Sequence, residues 1–161
     1  MAKLLNLPLK LKQKIILTVK TLFQTMNTCV VYFSRTGNTK RLAQAIADMA
    51  KVPIFDIAGT LPSTIETYDL IILGTPVEGS SPAKETKTFI EGMSKMEGKK
   101  AILFCTYRIF GNNRTMKAME KTLSSKGYDT ILSISKKGMK PDKEADFSEV
   151  LAEVRKTLEK Q

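Results

Sequence analysis

Five short apolar runs alternating with helix-patterned segments, from Thr28 onward, restrict the fold of this chain more than any other feature. Cys29-Val30-Val31-Tyr32-Phe33 is apolar throughout and of strand length, as expected of a strand buried on both faces. The other runs are Pro53 to Ile57, which is weaker, Leu70-Ile71-Ile72-Leu73 within Asp69 to Gly74, Ala101 to Cys105, and Tyr128 to Ser135. Between them, Leu42, Ala43, Ile46, Ala47 and Ala50 recur at helical spacing. Pro82 opens a second helix with Ala83, Phe89, Ile90 and Met93 on its apolar face. Thr115 to Lys126 forms a third that closes at Gly127, a natural C-terminal cap. Phe147, Val150, Leu151, Val154 and Leu158 line one face of a fourth, while Gly59 to Tyr68 holds at most one helical turn. Strands joined by helical crossovers require a parallel sheet covered on both faces.

At 161 residues, 42% of them apolar, the chain has the material for one such domain and needs no disulfide or metal to fold. Cys29 and Cys105 are its only cysteines, both inside strand runs, which reads as core thiols in a reducing compartment. There is no His. Ser/His and Cys/His catalysis, imidazole-ligated metals and the commonest neutral-pH general base are thereby excluded. The net charge is +10, and residues 1–47 carry eight cations with no acid before Asp48. Charge gathered at one end indicates an attachment surface or an anion site. No ribonucleoprotein, zinc-finger or basic-zipper pattern accompanies it, so nucleic acid is not an expected partner. Lys95, Lys99, Lys100 and the Lys136-Lys137 pair read as solvated faces.

Residues 1–26 read as a basic amphipathic extension to a domain of residues 27–161. With a helix starting near Pro8, Leu11, Ile15, Val19, Leu22 and Met26 share one stripe, with Ile16 and Phe23 on its shoulder. Lys10, Lys14 and Lys20 lie off the stripe and Lys12 at its edge. The longest uncharged run, Ile15 to Val19, is far short of the ~20 residues of a membrane span. Lys20 after a short apolar run, with no small-residue cleavage site, argues against a signal peptide. Three readings stay open: a helix packed on its own domain or a partner subunit, a disordered or upstream segment preceding a working start at Met26, or a helix lying in a membrane interface where lysines meet anionic headgroups.

Ligands of doubly wound sheets bind beyond the carboxyl ends of the strands, where strand order reverses. The loop after the first strand is Ser34-Arg35-Thr36-Gly37-Asn38-Thr39. Gly37 permits a tight turn, the following amides open a helix N-terminus, and three hydroxyls and Arg35 add donors. The spacing is neither a Walker A sequence nor a Gly-x-Gly-x-x-Gly dinucleotide turn. It suits a terminal phosphate monoester.

Val30-Val31-Tyr32-Phe33-Ser34-Arg35-Thr36-Gly37-Asn38-Thr39 resembles the phosphate-binding segment of flavodoxins, which hold the FMN phosphate in a Thr/Ser-x-Thr-Gly-x-Thr loop. Tyr68 to Val77 resembles the third strand and second flavin loop of that family, and Ala101 to Thr106 the fourth strand leading to its third loop. The resemblance runs in order over residues 28 to 159, with no insertion in the last strand, as in the short-chain branch. It implies a flavodoxin-like α/β fold: a doubly wound five-stranded parallel sheet of order 2-1-3-4-5 with helices on both faces. It also implies FMN as cofactor. The phosphate would be held by Ser34, Arg35, Thr36, Gly37, Asn38 and Thr39. Pro76, Val77, Glu78 and Gly79 would form the second flavin loop, and Thr106, Tyr107, Phe110 and Gly111 the third.

Two departures from the family pattern stand out. Many relatives place Trp after the Pro-Val pair; here Glu78 follows Val77. Their third loop is usually rich in Gly; here Thr106-Tyr107-Arg108-Ile109-Phe110-Gly111 carries two aromatics. Tyr107 or Phe110 is expected to supply the stacking surface that Glu78 cannot. By resemblance, the peptide near Glu78-Gly79 would turn a carbonyl toward the flavin N5; Glu78 itself reads either as a solvated loop charge or as a carboxylate beside the ring that would lower the flavin's reduction potential. The expected function is an FMN-binding electron-transfer protein. The alternatives are a reductase or oxidase acting on a quinone or porphyrinogen at a membrane surface, and a degenerate module without FMN. The expected partner is a redox protein with an acidic surface, in a cytoplasmic setting; an anionic membrane contacted through residues 1–26 is the other candidate.

Overall fold

The computed structural model describes residues 7–22 and 26–161, with only the backbone described for 16–22. Helix α1 spans Leu9–Leu22 and opens as the sequence suggests, with Leu11 N–H donating to the Pro8 carbonyl at 2.9 Å. Leu11 is exposed and Ile15 half-buried; the side chains of Ile16, Val19, Leu22 and Phe23, and so most of the expected stripe, lie outside the described residues. Met26 packs against the core of the following domain.

That domain is a parallel sheet of β1 (Thr28–Tyr32), β2 (Ile54–Asp56), β3 (Leu70–Glu78), β5 (Lys99–Tyr107) and β6 (Tyr128–Lys137), in the order β2-β1-β3-β5-β6. Counting parallel strands alone, this is the expected 2-1-3-4-5 arrangement. One further element, β4 (Ser81–Pro82), carries no strand signal in the sequence and pairs antiparallel with the end of β3. Pro82 therefore closes a hairpin instead of opening a helix. Helix α4 (Lys84–Glu91) starts after Ala83, whose backbone is extended and whose N–H donates to Thr75 Oγ1 at 3.1 Å.

Alternation along the strands builds two cores. Cys29, Val31, Ile71, Leu73, Ala101, Leu103 and Cys105 face one side, under α4 and α5 (Asn112–Ser125) through Phe89, Ile90, Met93, Met116, Met119 and Leu123. Val30, Tyr32, Leu70, Ile72, Ile102 and Phe104 face the other, under α2 (Asn38–Ala50) and α6 (Ser148–Leu158). Helix α3 is the single turn Pro62–Ile65. Burial pushes the Cys29 and Cys105 thiols up to about 12, so both remain protonated core groups.

Lys99 departs from the solvated role expected of it, and Lys126 is engaged in a similar way. Lys99 Nζ donates to the Glu66 and Tyr68 carbonyls at 3.0 and 2.9 Å. Lys126 Nζ donates to the Glu91 and Met93 carbonyls, both at 2.7 Å, at the C-terminal end of α4. Both draw loops together at the amino edge of the sheet, opposite the ligand-binding edge, where cations suit helix C-termini.

Candidate functional site

Strand order reverses between β1 and β3, so the loops that follow these two strands flank the crevice. The chain leaves β1 with Phe33 N–H donating to the Gly74 carbonyl at 3.1 Å. It then turns sharply: Ser34 Oγ accepts from Gly37 N–H at 3.1 Å, and Gly37 takes φ +94° as the N-cap of α2. This is the left-handed conformation glycine tolerates best. A Cβ at Gly37 would meet nothing within 4 Å, so glycine here serves the turn and leaves the space above it open. No side chain caps α2, and its first turn holds no acid. An N-terminus of this kind offers backbone donors and a positive dipole end to an anion.

Thr36 and Asn38 line an open cleft of about 450 Å³, which Arg108 and Ile109 of the third loop and Gly138 to Pro141 after β6 complete. Asn38 donates through Nδ2 to the Met139 carbonyl at 3.1 Å, while its Oδ1 is buried without a protein partner. That acceptor is left for a donor from water or a ligand. Thr39 is almost fully buried and shares a hydrogen bond of 2.8 Å with Thr106, tying the phosphate-type loop to the end of β5. Arg41, which the motif reading passed over, donates to the Lys140 and Lys143 carbonyls at 3.0 and 2.6 Å. It fastens the loop after β6 to α2.

On the other side, Pro76, Val77 and Glu78 are half-buried residues of β3 itself. The strand turns at Gly79 and Ser80, with φ +56° and +61°, the sign pattern of a type I′ hairpin turn. Gly79 was legible as the turn residue; Ser80, a non-glycine residue with positive φ, was not. Thr75 Oγ1 anchors the hairpin, donating to the Pro76 carbonyl at 3.1 Å while lying 3.0 Å from Thr86 Oγ1. The hairpin tip also abuts the third loop, since a Cβ on Gly111 would lie 2.8 Å from Ser80 Cα.

Arg35 joins the two sides. Its Nε and one terminal nitrogen donate to both oxygens of Glu78 at 2.9 and 3.1 Å. Its terminal nitrogens also reach both oxygens of Glu85, at 3.0 and 2.9 Å. The guanidinium carbon lies 4.9 Å from the centroid of the Phe33 ring. Glu78 is thus one arm of a paired cluster and not a simply solvated loop charge. The hydrogen bond from Arg35 holds the Glu85 carboxyl below the usual carboxylate range. A lowered folded value means that the contact contributes fully above the ordinary carboxylate pKa and is lost as pH falls through the lowered one. The NMR proton signals of the two Arg35 terminal nitrogens that face Glu85 are therefore expected to persist at neutral pH and to vanish only well below about pH 4. Loss already near neutrality would contradict the pairing.

In the third loop, Tyr107 is half-buried while Ile109 and Phe110 are 73% and 72% exposed. Gly111 caps α5 at φ +97°. An uncapped, acid-free helix start and an exposed aromatic, Phe110, therefore stand at one edge of a twisted α/β sheet, an arrangement that offers donors to an anion and a face to a ring.

Residues 29–133 match the flavodoxin domain family. The chain is 31% identical over 111 residues to the flavodoxin of Clostridium beijerinckii, covering 64% of this chain and 78% of that one. It is 32% identical over 102 residues to an uncharacterized protein of Methanocaldococcus jannaschii, covering 63% and 67%. Among solved structures, two-electron reduced Megasphaera elsdenii flavodoxin superposes with a TM-score of 0.69 at 25% identity, covering 83% of this chain and 99% of that one. The chain belongs to the flavodoxin family. Its cofactor is FMN, and its activity is electron transfer.

Proposed function

We propose that the FMN phosphate rests on the N-terminus of α2, held by backbone N–H groups after Gly37 and by the hydroxyls of Ser34 and Thr36. The ring would lie by the hairpin of Pro76, Val77, Glu78 and Gly79 and the third loop, with Phe110, the more exposed of the two aromatics, as the stacking surface. The observation that carries this reading is the open, uncapped and acid-free start of α2 behind the Gly37 turn. Bound FMN supplies the one- and two-electron chemistry. The chain's own residues bind and orient it: Thr39 and Thr106 lock the phosphate loop to β5, and Thr75 holds the hairpin on α4. Incubation of the purified chain with FMN, followed by gel filtration, is expected to give a yellow protein that bleaches with dithionite and recovers in air. A colourless protein after that treatment contradicts the reading.

The partner is a redox protein with an acidic surface. Arg108, Lys136, Lys137, Lys140 and Lys143 stand around the loops at the cleft, outnumbering Asp142, Glu144 and Asp146 among them. Asp146 is engaged with Ser148 N–H at 2.8 Å, at the start of α6. Cations at the electron-exit edge speed encounter with a negative partner and are screened by salt. Electron transfer to an acidic ferredoxin is expected to slow by about tenfold or more between low and physiological ionic strength. A rate indifferent to salt contradicts this. No described helix is long and apolar enough to cross a membrane. The exposed Leu9 and Leu11 beside Lys10 support a second contact, between α1 and an anionic bilayer. Cosedimentation with phosphatidylserine vesicles, absent with phosphatidylcholine alone, is the expected sign.

A further inference from the structure

We propose that Arg35, which lies in the phosphate loop by sequence, is a positioning residue for the ring-side hairpin and not a phosphate ligand. The inference rests on the FMN reading above. Its guanidinium is already committed: four hydrogen bonds of 2.9 to 3.1 Å run to Glu78 on the hairpin and Glu85 in the first turn of α4. The planar fork that makes arginine a good phosphate ligand is filled by carboxylates. The residue also lies against the Phe33 ring, whose side chain is set in the core at the end of β1. Redirecting Arg35 to a phosphate would break these bonds and leave two carboxylates without their partner.

The arrangement has a mechanical and an electrostatic consequence. Mechanically, three pieces of chain that no backbone ladder joins are held together: the loop after β1, the hairpin after β3 and the start of α4. The hairpin carries Glu78 and Gly79; its stem is held by the β3–β5 ladder and by Thr75, and Arg35 ties its Glu78 end directly to the phosphate loop. Electrostatically, Arg35 cancels one of the two carboxylate charges at that edge. Ion pairs this exposed are weak one at a time. A single arginine gripping two carboxylates bidentately loses its rotamer freedom once for four bonds, so the cluster is worth more than an isolated pair.

The test compares Arg35→Gln and Arg35→Lys with the unaltered chain, in two arms. In the flavin-free protein, amide exchange at Glu78 to Ser81 is expected to quicken by about fivefold in both variants, and in the unaltered chain at 1 M salt. With flavins, FMN and riboflavin are expected to weaken by the same factor, leaving their affinity ratio unchanged, and lysine is not expected to rescue. A phosphate ligand would behave otherwise: Arg35→Gln would weaken FMN alone, and Arg35→Lys would restore it, because a lysine point charge serves a phosphate well. That pattern overturns the proposal, as does unaltered exchange at the hairpin. If the unaltered chain bound neither flavin, the FMN reading would fall while the exchange arm still decided the role of Arg35.

Discussion

Gly74→Ala is expected to destabilise the fold by about 3 kcal/mol, the upper part of the range for overpacking a tight core. Gly74 lies opposite Phe104 in the β3–β5 register and opposite Tyr32 in the β1–β3 register. A Cβ placed on it would lie 2.0 Å from the Phe104 ring. That ring is fully buried, between the sheet and the helices α2 and α6, so it has nowhere to retreat. Strain at this point also reaches the site, because the Gly74 carbonyl accepts from Phe33 at the head of the phosphate loop. The double variant Gly74→Ala/Phe104→Leu is expected to recover part of the loss, since the smaller side chain vacates the volume the new methyl needs. Urea unfolding of the single and double variants measures both quantities. An alanine variant as stable as the unaltered chain would show that the close approach is not what reserves this position for glycine.

Thr36→Asp is expected to move stability and binding in opposite directions. Thr36 is exposed, lines the cleft and stands just ahead of the N-cap of α2. A carboxylate there meets the positive end of an uncapped helix, so the flavin-free protein is expected to hold steady or gain about 0.3–1 kcal/mol. The same carboxylate would face the phosphate at roughly 6 Å, and at an effective dielectric near 20 its repulsion with a charge of about −1.5 to −2 lowers FMN affinity by about 1,000-fold or more. Riboflavin, which carries no phosphate, is expected to lose far less. Thermal unfolding without flavin and fluorescence titration with each flavin separate the two effects. Equal losses for both flavins would place the phosphate elsewhere.

The parallel frame was legible because every central strand is a run of apolar residues buried on both faces, and Gly127 stops α5 as a cap should, with φ +87°. The hairpin was not. Ser81 and Pro82 carry no strand signal, and Pro82 before a helical pattern reads as a helix start; the Thr75 hydroxyl, eight residues away, is what keeps Ala83 extended. Within the site, local chemistry was readable and pairing was not. Gly37 announces its turn by being glycine. Nothing local tells that Arg35 reaches Glu78, 43 residues on, and Glu85, 50 residues on. The same holds for Thr39 meeting Thr106 and for Arg41 holding the loop after β6. Contacts between loops on different strands depend on sheet order, which periodicity in one segment does not encode.

The central claim is that the open start of α2 grips a monophosphate and so makes this chain a carrier of FMN. Equilibrium titration of the flavin-free chain with FMN and with riboflavin, followed by quenching of flavin fluorescence, tests it most directly. Several charge-assisted donors on one phosphate predict FMN binding at least ~100-fold tighter than riboflavin. Equal affinity for the two, or binding of neither, would contradict the account.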